Sequence, residues 1–562
     1  MKKNRFGFVL AAAMLLLTAC TNAASAGDAE NNDGLQQNVD AALSGDGGAE
    51  TEDNSETEND MEKEYAEMFS EISKASFQKG FLDVNPIITQ RFGADPYALV
   101  YGDEVYFYMT ADTLDYNGTT LKDNGYGLID TISVVSTRDM VNFTDHGEIK
   151  VAGKDGAAKW ARNSWAPAAA WKNIDGQDKF FLYFADSGSG IGVLVADSPA
   201  GPFTDPLGHG LITRQTPTCD KVLWLFDPAV LVDDDGSAYI YCGGGVPEGK
   251  ASAPGTARVA KLGDDMISLA TDPIAIDVPY LFEDSGIHKY NNKYYYTYCT
   301  NFSVDQAGKD KYGFDNGEIA VLVSDSPMGP FTYQERILKN PGSVFGLSGN
   351  NHHAVFNFKD QWYITYHTRV LEEKLGIANG YRCTFVTPFT MGEDGKIGSI
   401  FMDLGTRDQI AYVDPYEEVN ATTASLLAGL TTSNAGLEAG VWCLSNITEG
   451  SFVKVSGVDF GTGGASTITV KVAAASDRET GKATILPLIN KKEAKGSAVI
   501  QVRLDNFAGD ILGYVDIEDV IKNGGSFESV TAALSKKPTG VHDLVFVFSG
   551  EGYEILSWQF ER

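Results

Sequence analysis

Apolar and polar positions alternate along short runs through most of the chain, and the runs come in pairs. Ala98-Leu99-Val100-Tyr101 is followed by the polar turn Gly102-Asp103-Glu104 and then by Val105-Tyr106-Phe107-Tyr108. A strand, a tight turn and a returning strand predict a β-hairpin. The unit recurs four times. Phe226-Asp227-Pro228-Ala229-Val230-Leu231-Val232 turns at Asp234-Asp235-Gly236 into Ala238-Tyr239-Ile240-Tyr241. Leu281-Phe282-Glu283 leads through Ile287-His288-Lys289-Tyr290 and Asn291-Asn292 to Tyr294-Tyr295-Tyr296. Trp165-Ala166-Pro167-Ala168 precedes Gly176-Gln177 and Phe180-Phe181-Leu182-Tyr183, and His353-Ala354-Val355-Phe356 precedes Lys359-Asp360 and Trp362-Tyr363-Ile364.

A second motif marks the same period. Asp197-Ser-Pro-Ala-Gly-Pro-Phe-Thr204 returns as Asp325-Ser-Pro-Met-Gly-Pro-Phe-Thr332, with a degenerate copy from Ser136 to Thr144, and each follows an apolar strand. Repeats of roughly 40–65 residues with about four strands apiece predict a β-propeller, here of five blades. The first strand of each blade lines the central channel, so equivalent positions converge. Three of the five copies carry an acid there: Asp95, Asp227 and Glu283. A single acid before Pro reads as an ordinary turn residue. Three in register on converging strands read as a catalytic cluster.

The propeller pattern runs over residues 81–415. Beyond Val413-Asp414-Pro415 the composition shifts to Thr, Ser, Gly and Val. Runs such as Thr467-Ile468-Thr469-Val470-Lys471-Val472 and Asp543-Leu544-Val545-Phe546-Val547-Phe548 keep period two. Residues 416–562 are therefore expected to form a β-sandwich, jelly-roll-like, following the propeller in an all-β chain. No acid cluster falls in it. It is expected to be an accessory binding domain, dispensable for chemistry on a small substrate.

The amino terminus differs from both. Lys2, Lys3 and Arg5 precede an apolar run too short to span a bilayer comfortably, the mark of a signal peptide over residues 1–20. Leu17-Thr18-Ala19-Cys20 resembles a bacterial lipobox, which implies lipidation of Cys20, export and a lipid anchor at the cell surface; a plain signal peptide is the alternative. Residues 21–80 read as an acidic disordered tether, with a short helix expected over 61–74. Between Thr21 and Glu71 there are fifteen acids against one Lys. The whole chain of 562 residues carries a formal charge of −32. That argues against nucleic acid, and against any membrane contact beyond the lipid anchor. Cys219, Cys242, Cys299, Cys383 and Cys443 have no metal-site spacing and read as buried thiols.

Acids converging on a dry aromatic channel suit glycoside hydrolysis, in which one carboxylate activates water and a carboxylic acid protonates the leaving oxygen. A third charge nearby keeps the acid protonated. Metal ligation is the other use of such acids, but Asp233-Asp234-Asp235 sits in a hairpin turn and reads as solvated.

Here the sequence resembles glycoside hydrolase family 43. The likeness is carried in order by Gly93-Ala-Asp-Pro-Tyr-Ala-Leu-Val100, Ser164-Trp-Ala-Pro167, Trp224-Leu-Phe-Asp-Pro-Ala-Val230, Leu281-Phe-Glu-Asp-Ser-Gly-Ile-His-Lys-Tyr290 and Gly349-Asn-Asn-His-His-Ala-Val-Phe356. Within the family it is similar to the arabinoxylan arabinofuranohydrolases. The resemblance implies Asp95 as general base, Glu283 as general acid and Asp227 as the residue that tunes and orients the acid. It also implies inversion, with a base–acid gap of roughly 6.5–9.5 Å. Trp224 and Phe302 match substrate-cleft aromatics, with propeller packing as the alternative. Asn350 and His352 alternate along one strand, so both can face the channel. Asn350 matches a sugar-binding position. His352 resembles the histidine that holds a calcium at the propeller centre, often through water, with a satisfied core histidine as the alternative. Arg382 is a candidate for meeting a sugar hydroxyl. No organic cofactor is implied.

The C-terminal region is similar to a family 6 carbohydrate-binding module through Phe452-Val-Lys-Val-Ser-Gly-Val-Asp-Phe460 and Ser557-Trp-Gln-Phe560. Asn420 and Thr422 stand where acids of a structural calcium site are usual, and Phe452 where a cleft Trp is usual. The reading is thus an exo-acting hydrolase releasing α-L-arabinofuranosyl groups from arabinoxylan, a plant cell-wall polysaccharide. β-Xylosidase and arabinan hydrolase are its rivals within the family, and a non-catalytic surface glycan-binding lipoprotein is its rival outside it.

Overall fold

The computed structural model describes residues 54–562, apart from 491 and 495. The signal peptide, Cys20 and the first part of the expected tether lie outside the described residues. Residues 94–389 form five antiparallel sheets of three or four strands in chain order, with a two-stranded ribbon of Tyr116–Asn117 and Thr120–Leu121 beside them. Sheet I runs outward from Ala94–Tyr101 through Glu104–Thr110 and Thr131–Thr137 to Thr144–Lys150. The first strands of sheets II to V are Pro167–Ile174, Ala229–Val232, Leu281–Tyr290 and His353–Phe358. Each of these inner strands neighbours the next, and the last neighbours the first, so they close a ring.

The hairpins fall where the turn residues put them. Ile174 pairs with Gln177, Tyr290 with Lys293 and Phe358 with Gln361. The intervening Asp175-Gly176, Asn291-Asn292 and Lys359-Asp360 all have positive φ, as a two-residue turn between right-twisted strands requires. The second repeated motif turns through a residue of positive φ in all three copies. Gly201 and Gly329 turn at φ 92° and 84°, each before a cis proline, and Met140 has a positive φ of 65° in the degenerate copy, which lacks the proline.

Aromatics from the second strands, among them Tyr108, Tyr183, Tyr241 and Tyr296, are fully buried between sheets. Their hydroxyls are satisfied: Tyr108 donates to the Pro199 carbonyl, Tyr183 to Met266 and Tyr241 to Pro327, each at 2.6–2.7 Å. Each bond ties one sheet to the next, so a residue on an inner strand is held by a rigid ring.

From residue 419 two further sheets stack as a sandwich. One has the order Leu426–Ala428, Phe452–Asp459, Val541–Phe548, Val499–Leu504, Ile511–Asp516. The other is built around Tyr553–Glu561 and Thr467–Ala474. Ile468, Val470, Val502, Leu512, Phe546 and Trp558 fill the space between them. All five cysteines past residue 100 are buried free thiols, as expected.

Two expectations are corrected. A helix covers Asn54–Glu71, and the chain is not a free tether up to residue 80. Phe69, Ile72 and Phe81 pack on the outer face of the first sandwich sheet with Phe452, Val545 and Val547. The apolar spacing of Tyr65, Met68, Phe69 and Ile72 gives this segment one sticky stripe, and the exposed sheet face supplies its partner. Phe452 is accordingly 0% exposed, edge-on to Phe77 and Phe507. It is a packing residue with no face open to a sugar.

Candidate active site

Asp95, Asp227 and Glu283 come from the inner ends of sheets I, III and IV and line one cavity of about 430 Å³. Each sits at a backbone irregularity in or just before its strand. Register shifts between Ala94 and Tyr97, and again on both sides of Glu283. Asp95 and Asp227 have φ of 46° and 49°, and Asp284 has 71°. Non-glycine residues in the left-handed region cost on the order of 1–3 kcal/mol and persist where the surroundings over-determine them. Pro96 and Pro228 follow the two strained aspartates. Lacking an N–H, a proline breaks the ladder at that point and lets the carboxylate turn out of the pleat into the channel.

The three acids are tuned in opposite directions. Burial pushes Asp95 up, but the influences opposing it, the Arg382 guanidinium foremost, together hold Asp95 well below the usual carboxylate range. Arg382 Nη1 donates to Asp95 Oδ1 at 2.7 Å. Glu283 is driven the other way, by burial first and then by Asp227, Asp95 and Asp284. Its Oε1 is buried and meets no protein donor among the described residues. Asp227 is also raised, by burial and then by Asp95, and its Oδ2 accepts the Asp284 amide at 2.9 Å. Within one cavity Asp95 is thus shifted toward its ionised form and Glu283 toward its protonated form. This is the pairing of base and acid that hydrolysis through an activated water needs.

Four residues that the repeat pattern did not single out complete the arrangement. Asp112 is fully buried and holds Arg382 in a fork, accepting from Nε at 2.9 Å and Nη2 at 2.7 Å. His367 accepts the Asp95 amide on Nδ1 at 3.1 Å, so its Nε2 carries the proton given to the Asn350 carbonyl at 3.0 Å. Tyr126 lies under the guanidinium, 4.9 Å from ring centre to carbon. Asp284 is raised to about 7 by burial, against the pull of His352. Only the adjacency Glu283-Asp284 was visible beforehand; Asp112, Tyr126 and His367 fall outside the repeated motifs.

The other predicted positions are found around these. Arg382 lines the cavity, but most of its donors serve Asp112 and Asp95, so it is a positioning group before it is a sugar contact. Trp224 stands half-exposed at the mouth, edge-on to Phe226 at 5.4 Å and Phe282 at 5.1 Å. Phe302 is outside the cavity proper. It is edge-on to Phe282 at 5.1 Å and borders an adjoining open groove with Asn316, Asn340 and Asn350. Asn350 lines both spaces. Asp233 and Asp234, in the hairpin turn, pair with Lys289.

His352 lies beneath the acids. Its Nε2 is 3.2 Å from Asp284 Oδ1, and its Nδ1 is 3.7 Å from Asp95 and 3.9 Å from Asp227. Burial pushes its pKa down, against the pull of Asp284 and Asp95. A calcium needs six or more oxygen ligands. Asp284 is shared between His352 and His353, and no group of three His, Cys, Asp or Glu among the described residues is arranged to hold a metal ion. This donor set does not fit a directly ligated calcium. His352 is packed among three acids.

Comparison with known proteins places this geometry. Residues 84–397 match the model of glycosyl hydrolases family 43, and residues 488–562 match the carbohydrate binding module of family 6. The chain is 45% identical over 497 residues to an arabinoxylan arabinofuranohydrolase of Paenibacillus polymyxa, covering 85% of this chain and 74% of that one. It is 44% identical over 501 residues to an arabinoxylan arabinofuranohydrolase of Bacillus subtilis, covering 85% and 92%. The crystal structure of a family 43 arabinoxylan arabinofuranohydrolase from Bacillus subtilis, in complex with cellotetraose, superposes with a TM-score of 0.79 at 42% identity. That match covers 87% of this chain and 99% of the other. The chain belongs to glycosyl hydrolases family 43 and is a glycosidase.

Proposed function

We propose that the protein is an inverting arabinoxylan arabinofuranohydrolase that releases α-L-arabinofuranosyl side groups from arabinoxylan. The observation that carries the mechanism is the opposed tuning of Asp95 and Glu283 in one aromatic-walled cavity. The substrate class rests on the relatives of 44–45% identity that span most of the chain. Asp95 draws a proton from a water on one face of the sugar. Glu283 gives its proton to the departing xylan oxygen on the other. Asp227 keeps Glu283 protonated until then. No step is assigned to a metal.

We further propose that the five sheets are the blades of a five-bladed propeller over residues 81–415, followed by the sandwich over 416–562. Export and lipid anchoring at Cys20 would place the enzyme at the bacterial surface. Mass spectrometry of the mature amino terminus tests that.

The product profile decides the substrate. Wheat arabinoxylan should yield arabinose with the xylan backbone left intact, while xylo-oligosaccharides and linear arabinan are poor substrates. Xylose from xylo-oligosaccharides, or arabinose chiefly from arabinan, would move the assignment within the family. No hydrolysis of a chromogenic arabinofuranoside would leave a binding protein.

Arg382→Met gives a further test. Without the guanidinium, burial and the neighbouring acids raise the Asp95 pKa. A base must be ionised to act, so the acidic limb of the pH–rate profile should move to higher pH. An unmoved acidic limb in the folded variant would detach Arg382 from the base.

A further inference from the structure

The sandwich grips sheet I, the sheet that begins with Asp95, at both ends. At the inner end, residues 90–92 enter the strand of Asp95 paired to the sandwich loop that follows Thr467–Ala474. Phe92 N–H donates to the Ala483 carbonyl at 2.9 Å, and Ile485 N–H donates to the Gln90 carbonyl at 3.1 Å. One residue on, Gly93 N–H donates to the carbonyl of Arg382 at 3.0 Å, and Thr384 Oγ1 donates to the Gly93 carbonyl at 3.0 Å. Two residues thus separate the sandwich pairing from the base, and the backbone of Arg382 is held at the step between them.

The outer end of the same sheet is fastened to the same loop. Asp145, fully buried on strand Thr144–Lys150, pairs with Arg91 and accepts from Gln90 Nε2 at 2.8 Å and from the sandwich's Thr432 Oγ1 at 2.7 Å. Its amide donates to Thr422 Oγ1 at 3.2 Å. Glu148 on this strand accepts the amides of Lys482 and Ala483, each at 2.8 Å. Trp442 packs against Gly147, where an added Cβ would come within 1.7 Å of the indole. Ile485 is buried in one cluster with Phe92 and Tyr381, the residue before Arg382.

We infer that residues 482–485 of the sandwich are a positioning element for the catalytic base: they hold the entry to its strand so that Asp95 keeps its left-handed backbone and its contact with Arg382. This rests on the reading of Asp95 as base. It gives the C-terminal domain a part in the reaction that involves no sugar binding, and it reverses the expectation that the domain is dispensable for a small substrate. A displacement of about 1 Å in a reacting group can cost on the order of 10²-fold in rate.

The test uses the full-length chain on an aryl α-L-arabinofuranoside. Glu148→Ala frees the two loop amides, and Ile485→Pro removes the donor to Gln90 at a φ of −83°, close to the range proline takes. Neither residue lines the catalytic cavity. Both variants should lose about tenfold or more in kcat with KM near the parent value. Their acidic limb should move to higher pH as the Asp95–Arg382 contact loosens. Leu512→Ala, a cavity in the sandwich core remote from the loop, should lower Tm yet keep the parent kcat and pH profile. If Ile485→Pro does not fold, Thr432→Val removes one donor to Asp145 while preserving shape, and should show the same shift in smaller measure. Parent kcat and an unmoved acidic limb in the folded loop variants would overturn the proposal alone. An inactive parent would instead overturn the arabinofuranosidase reading.

Discussion

Asp95→Asn is expected to give a folded protein whose turnover falls about 10²–10⁴-fold, the usual worth of a general base. The change is nearly isosteric. The amide oxygen can still accept from Arg382 Nη1, and Arg382 keeps its fork to Asp112, so the guanidinium is not left buried and unpaired. What disappears is the ability to take a proton from water. Thermal unfolding should change little, and KM for a chromogenic arabinofuranoside should stay near the parent value, since the lost interaction is made only on the way to the transition state. The acidic limb of the pH–rate profile should vanish with the carboxylate. Activity within a few-fold of the parent would mean that another group activates the water.

Glu283→Ala is expected to separate substrates by their leaving groups. A departing xylan hydroxyl is strongly basic and needs full protonation. A dinitrophenolate needs almost none. The variant should therefore lose about 10²–10⁴-fold on arabinoxylan and roughly tenfold or less on the dinitrophenyl sugar. The alkaline limb should go with it, because that limb reports ionisation of the acid. Asp227→Asn should shift the same limb to lower pH. Burial and then Asp227 are what hold Glu283 up, so removing the neighbouring negative charge lowers the acid's pKa. Since the two carboxyls titrate together, the observed limb belongs to the pair. Equal losses on both leaving groups would show that Glu283 is not the proton donor.

The readable part of the site lay on repeated elements. Asp95, Asp227 and Glu283 occupy equivalent places in hairpins whose turns announce themselves through Gly, Asn and Asp, and equivalent places on a ring of strands must converge. Arg382 could be named but its role could not. It stands 287 residues from Asp95 in sequence and meets it only because sheet V closes on sheet I. Asp112 and His367 were silent for the same reason: one follows a strand and the other lies near the end of one, and each looks like an isolated polar residue until the ring closes over it. Phe452 was misread because an aromatic in a period-two strand points to one face or the other, and nothing local says what covers that face. The residues around Phe69 do.

The one-dimensional pattern thus determined what depends on near neighbours. That covers the hairpins and their turns, the change from one all-β architecture to another near residue 415, and the three acids repeating in register. These follow from alternation and turn stereochemistry, which act over a few residues. The tertiary structure alone decided the opposed pKa shifts of Asp95 and Glu283, the fork from Asp112 through Arg382 to Asp95, and the grip of the sandwich on sheet I. These depend on burial and on charges brought close from distant parts of the chain. Coulombic and desolvation effects follow distance in space, and separation along the chain does not report it.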